Sequence, residues 1–175
     1  MVRVGARVWE PRAKTIVGLL LLIAFALRVT PITWGVPVRP FVGYYHPDEG
    51  KIVQGAMDFP ADIIQRHDLR YPTCYHYVLG ALTLPLRYAL RWLAPDTTAD
   101  TVYLIHHLLA RLCTVILGTL NVWLVYVLAR LLYDTPTALL SAGLLAVAKM
   151  HVMHSSWATV DVPTSFLATL VLYLC

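Results

Sequence analysis

The densest group of chemistry-bearing side chains lies early in the chain, where residues 44–50 read Tyr-Tyr-His-Pro-Asp-Glu-Gly. Pro47 suits the start of a helix, which places Asp48 and Glu49 in its first turn. Carboxylates there feel the positive end of the helix dipole, which favours the ionised form that a proton acceptor or cation holder needs. Neighbouring residues on a helix point about 100° apart, so the two carboxylates cannot address the same small atom. One can serve a reaction while the other holds a partner or an ion. The alternative use is simpler: acidic residues stabilise helix starts whatever the protein does. Ile52, Val53, Ala56 and Met57 follow as an apolar stripe, so the helix is expected to rest on a membrane surface.

A second cluster lies a hundred residues later, in His151-Val-Met-His-Ser-Ser-Trp-Ala-Thr-Val-Asp-Val-Pro163. His151 and His154 share a helix face by their spacing of three. Asp161 is expected in a loop before Pro163, which would open the next helix. A carboxylate so close to apolar runs is costly unless it faces a cavity, a partner or water. A helix-capping role for Asp161 is the competing use. No HExxH or comparable set supports a zinc site, and interfacial hydrogen bonding is the preferred use of the two histidines. Arg111 is placed to meet an anionic headgroup or phosphate, with snorkelling as the equal alternative; Lys149 carries the same ambiguity.

These clusters need elements to carry them, and the composition says in which solvent. Apolar residues make up 58% of the 175-residue chain and charged residues 14%, against roughly half and a quarter in soluble domains. Lipid must therefore cover part of the surface. The net charge of +4 is scattered rather than gathered in a nucleic-acid-binding patch, and no nucleic-acid partner is expected. The three cysteines have neither CxxC nor metal-type spacing and read as packing residues.

An all-α polytopic membrane protein follows. Residues 1–13, with Arg3, Arg7, Arg12 and Lys14 around the entry to the first apolar run, place the N-terminus in the cytoplasm by the positive-inside rule. A first span is expected over 14–32, with Lys14 and Arg28 lifting their charges to opposite interfaces. An external loop over 33–108 follows. Its stretch Thr73–Leu93, broken in its second half by Pro85, Arg87 and Arg91, is read in preference as a helix lying in the interface; the alternative is that it crosses the membrane, which would reverse the side of every later segment. A second span over 109–132 and a third over 135–153 form a hairpin about the Tyr133–Pro136 turn. Ser141, Gly143 and Ala146 allow close packing there. A second external loop over 154–163 leads to the start of a further span over 164–175. That last apolar run is still going at Cys175, so the sequence reads as the N-terminal part of a longer protein. In this threading both acidic clusters reach the same, non-cytoplasmic face.

The ordered set His46-Pro-Asp-Glu49, Arg70-Tyr-Pro72, Arg111 at the head of a span, and His154-Ser-Ser-Trp-Ala-Thr-Val-Asp-Val-Pro163 resembles the dolichyl-phosphate-mannose-protein mannosyltransferases. It is also similar to their bacterial relatives, including the aminoarabinose transferases, all polytopic enzymes of the GT-C class. The resemblance implies a GT-C-like set of N-terminal transmembrane helices with juxtamembrane helices in the first external loop. It also implies transfer of a sugar from a polyprenyl-phosphate carrier to a hydroxyl acceptor with inversion. Asp48 is then the candidate base, and Glu49 and Asp161 orient acceptor, base or donor. His46, Arg70, Tyr71, Arg111 and His154 are the implied substrate-binding residues. The implied partners are a lipid-linked sugar, a protein, lipid or glycan acceptor, and membrane lipids. The implied setting is a bacterial plasma membrane. The resemblance assigns no definite cofactor and is compatible with a divalent cation. Two departures bear on the donor: Lys149 stands where relatives often have proline. Tyr71, preceded by Arg70, stands where the aminoarabinose transferases carry a lysine preceded by a metal-binding glutamate. A membrane transporter or non-catalytic subunit with a polar acidic pathway is the alternative, although transporter sites usually sit near the bilayer midplane on interrupted helices.

Overall fold

The computed structural model describes residues 11–36, 46–60 and 73–175. Among these, all regular structure is helical: α1 (Pro11–Val29), α2 (Glu49–Met57), α3 (Thr73–Leu93), α4 (Ala99–Leu132), α5 (Thr135–Val147), α6 (Lys149–Ser155) and α7 (Asp161–Leu174).

Helix α4 is the mast of the fold, and α1, α5 and α7 pack along it. It begins at Ala99, ten residues before the expected start of the second span. The Thr98 hydroxyl accepts from the Thr101 N–H at this end and fixes the start. Its 34 residues rise about 51 Å, well beyond the roughly 30 Å of a bilayer's hydrocarbon core. By length and composition α4 is the one described helix that could cross a membrane unaided. Helices α5 and α6 reach that length together, but the pair bends by 58° at Ala148. The expected third span is thus broken, and the break creates the geometry of the second cluster.

The hairpin between α4 and α5 is as the sequence suggests. Asp134 accepts from the Thr137 N–H at 2.9 Å, and Pro136 sits in the first turn of α5. The small residues that let α5 approach its neighbours are Ala138, Ala142 and Ala146, each almost inaccessible. Of the expected three, Ala146 alone belongs to that stripe. They pack with Val17 and Ala24 of α1 and with Val122, Tyr126 and Ala129 of α4. The opposite faces are apolar and open: Leu19 and Leu22 of α1, Leu140 and Leu144 of α5, and Leu172 of α7 are all exposed.

Helices α2 and α3 form a second unit against the N-terminal half of α4. The stripe Ile52, Val53 and Ala56 does not lie open for a membrane surface. It is buried against Tyr75 and Leu79 of α3, Ala110 of α4 and Ala158. Gly80 permits this closeness, because a Cβ there would overlap Phe59, standing 2.6 Å from its Cγ. Pro85 does not end α3, which continues to Leu93. The Thr83 hydroxyl donates back to the Leu79 carbonyl one turn earlier. Tyr77, Leu82, Tyr88 and Trp92 stay on the outside of α3, the amphipathic character expected of it.

Candidate active site

Helix α2 starts one residue later than expected. Asp48 takes the N-cap position without capping the helix through its side chain, and Glu49 is the first helical residue. That offset sends the two carboxylates in different directions. The Asp48 side chain is 39% exposed and its oxygen stands 3.9 Å from His46 Nδ1. Glu49 is wholly buried.

Glu49 meets Arg111 in a two-pronged pair, with Nε donating to Oε1 at 2.8 Å and Nη2 to Oε2 at 2.7 Å. Its Oε1 also accepts from the Ala158 N–H at 2.7 Å. His107 Nε2 stands 3.8 Å from Oε2, one helical turn before Arg111 on the same face of α4. Burial pushes the Glu49 carboxyl pKa up. The His107 ring, the Arg111 guanidinium and the Ala158 N–H more than reverse this and hold it down to about 2. Arg111 completes the junction through Nη1, which donates to the Ile32 and Trp34 carbonyls beyond the end of α1. The guanidinium expected to face a headgroup or phosphate is therefore buried and engaged on four of its N–H groups. The pair ties together the tail of α1, the start of α2, α4 and the segment before α7.

That knot brings the two acidic segments together. Ala158, held by Glu49, follows Trp157, whose ring lies 5.0 Å from that of His46 and 5.5 Å from that of His154. The His46 and His154 rings meet edge-on at 6.0 Å. His154 Nδ1 donates to Asp161 Oδ2 at 2.9 Å. Asp161 is not in a loop but opens α7, and its side chain is 55% exposed. Asp48, His46, Trp157, His154 and Asp161 thus form one surface with two accessible carboxylates at its edges. Arg70 and Tyr71 lie outside the described residues. Among those described, no three His, Cys, Asp or Glu side chains are arranged to hold a metal ion.

Residues 102–175 match the model of the dolichyl-phosphate-mannose-protein mannosyltransferase family. The match supports a mannosyltransferase-type region over these residues. It suggests a glycosyltransferase-type function and membrane association. The match takes in Arg111, His154 and Asp161 but not His46, Asp48 or Glu49, which reach the region through the contacts just described. No curated protein and no solved structure matches the chain.

Three contributors to the site were not singled out from the sequence. His107 carried a usable signal, four residues before Arg111 on one face. Trp157 and the Ala158 N–H carried none, because their roles depend on where α6 ends.

Proposed function

We propose that this surface serves inverting transfer of a sugar from a polyprenyl-phosphate carrier to a hydroxyl acceptor, at the non-cytoplasmic face of a membrane. The supporting observation is the meeting of His46 and Asp48 with His154 and Asp161, joined through Trp157 and the bond from Ala158 to Glu49. The match to a mannosyltransferase family supports a glycosyltransferase-type reaction.

In this reading Asp48 takes the proton of the acceptor hydroxyl as its oxygen attacks the anomeric carbon. The bond from that carbon to the carrier phosphate breaks, and the phosphate leaves with the electron pair. His154, carrying hydrogen on both ring nitrogens, donates Nδ1–H to Asp161 and Nε2–H to a phosphate oxygen, and so offsets the charge developing there. Glu49 and Arg111 do not touch the substrate. They are positioning residues that set where Asp48 and Trp157 stand. The exposed apolar faces of α1, α4, α5 and α7 support a lipid surround for this surface. A polyprenyl carrier would reach the site from the same layer. A transporter would need its carboxylates on a path through the bundle, whereas Asp48 and Asp161 sit at one edge of it.

The test uses the full-length protein in vesicles with a polyprenyl-phosphate sugar. Asp48→Asn should lower transfer by on the order of a hundredfold or more with an unchanged melting temperature. Transfer at the normal rate would remove Asp48 as the base. Single cysteines placed beside Asp48 and Asp161 should label from the same side of the membrane. Labelling from opposite sides would dismantle the shared site.

A further inference from the structure

Beneath this surface lies a buried polar chain that the proposed reaction does not use. Arg28, expected to lift its charge to an interface, is wholly inaccessible instead. Its Nη1 donates to the carbonyls of Ala24 at 2.8 Å and Ala146 at 3.0 Å, and Nη2 to that of Leu145 at 3.2 Å. The last two carbonyls belong to the end of α5, where the 58° bend removes their helical partners. Cationic donors are favoured there by the helix dipole. Nε reaches the Ser155 hydroxyl at 3.3 Å. Helix α4 leaves room for this crossing at Gly118, where a Cβ would come 2.9 Å from Ser155 Cβ and 3.2 Å from Arg28 Nε.

Arg28 Nη2 also stands 2.9 Å from His151 Nδ1. A guanidinium can only donate, so Nδ1 must accept. A neutral imidazole that accepts at Nδ1 carries its proton on Nε2. The group facing Nε2 must then be an acceptor. That group is the Asn121 amide, 3.3 Å away, and the same amide corner lies 3.1 Å from the Ser165 hydroxyl. With Nδ2 at that corner, Oδ1 is buried without a hydrogen bond. An amide's oxygen and nitrogen are told apart by their partners rather than by their shape. Turned over, Oδ1 takes hydrogens from both His151 Nε2 and Ser165 Oγ.

We infer that Asn121 is a positioning residue: its Oδ1 bridges His151 Nε2–H on α6 and Ser165 Oγ–H on α7, and so sets the spacing of the His154–Asp161 pair. The register supports this. His154 lies three residues after His151 on α6, and Asp161 four residues before Ser165 on α7, so each site residue stands about one turn from an end of the bridge. The catalytic meaning rests on the proposed function, but the bridge itself is open to measurement without turnover.

The experiment is nitrogen NMR of the full chain in lipid nanodiscs, with histidine labelled on both ring nitrogens and His151 assigned by its loss in His151→Gln. The expected spectrum has a protonated Nε2 and an unprotonated Nδ1 for His151. A protonated Nδ1, alone or in an imidazolium, would overturn the bridge, and this reading needs no variant of Asn121. In Asn121→Leu the His154 Nδ1 resonance should move, while Asn121→Asp, which keeps the acceptor, should leave it in place. A folded Asn121→Leu protein with His154 unmoved would refute the positioning role. In the transfer assay the same variant should lose on the order of tenfold or more in kcat with the donor KM unchanged. If the NMR results hold while Asp48→Asn still transfers sugar normally, the bridge stands and only the reaction assigned above it falls.

Discussion

Replacing Arg111 with methionine tests the junction on which the site geometry depends. The substitution keeps an unbranched apolar stem but removes both prongs on Glu49 and both donors to the Ile32 and Trp34 carbonyls. Glu49 would keep one bond, from Ala158. Stranding one member of a buried ion pair costs about 3–5 kcal/mol. For a chain of this size that is a fall in melting temperature of roughly 6–20 °C. Thermal melts of the purified protein in detergent, followed by tryptophan emission, measure it. The pH dependence supplies a second signature. Glu49 is held at about 2 against an ordinary 4.5, so its contribution is complete above about 4.5 and disappears as pH falls through that window towards 2. In Arg111→Met only His107 and the Ala158 N–H remain to oppose burial, so the carboxyl pKa rises and the acid-linked loss should be smaller than in the parent. Glu49→Gln combined with Arg111→Met should cost less than the sum of the two singles, since the charges are lost together. A melt within about 2 °C of the parent, or strictly additive losses, would refute the junction as argued.

Other expectations need less argument. Gly80→Ala should lower stability by about 1–3 kcal/mol, because the new methyl would overlap Phe59 at the α2–α3 crossing; the same melts read it. Ala142→Leu should force α5 away from α1 and α4 and cost a similar amount of about 1–3 kcal/mol. Leu144→Ala, on the exposed face of the same helix, should be nearly silent. Asp134→Ala should lower the melting temperature at neutral pH, because the carboxylate accepts from Thr137. The loss should vanish in acid: hydrogen bonds from the Thr137 side chain and backbone hold the Asp134 pKa below its usual value. Its contribution is therefore present above that usual value and lost as pH falls through the lowered one.

Much of the helical order was legible because long apolar runs leave few alternatives. Thr73–Leu93, the hairpin at Tyr133–Pro136 and the helix after Pro47 all declare themselves through periodicity and end signals. The break at Ala148 did not. Residues 135–153 are apolar enough to read as one span, and nothing at Ala148 interrupts the pattern. The bend is held by Arg28, which is over a hundred residues away in sequence. Arg28 itself was misread for a related reason. A basic residue near the end of an apolar helix usually snorkels, and only the freed carbonyls of α5 explain why this one turns inward. The site was half legible. Composition and spacing picked out Asp48, Glu49, His154 and Asp161, but sequence alone could not say which carboxylate was surface and which was anchor. The apolar stripe of α2 was likewise visible, yet a membrane surface and the flank of α3 present the same chemistry to it.

The consecutive carboxylates show why that distinction matters. If Asp48 and Glu49 were both exposed, the start of α2 would be tied to the rest only by apolar contacts, which do not fix a direction. If both were buried, no carboxylate of this pair would meet a substrate. One residue of helical offset gives each position a separate task. Glu49 turns in and binds α4 through Arg111 and the segment before α7 through Ala158. Asp48, one residue earlier, must then emerge beside His46, whose ring lies against that of Trp157. The same logic repeats on the other side, where His151 is half-buried in the chain from Arg28 to Ser165 and His154, one turn on, faces Asp161. In both clusters the residue at the candidate site is set by a neighbour that turns inward. Substitutions of the inner residues should therefore act on the outer ones through geometry rather than through charge. This is why the Arg111 and Asn121 variants, neither exposed, are the sharpest probes of the site.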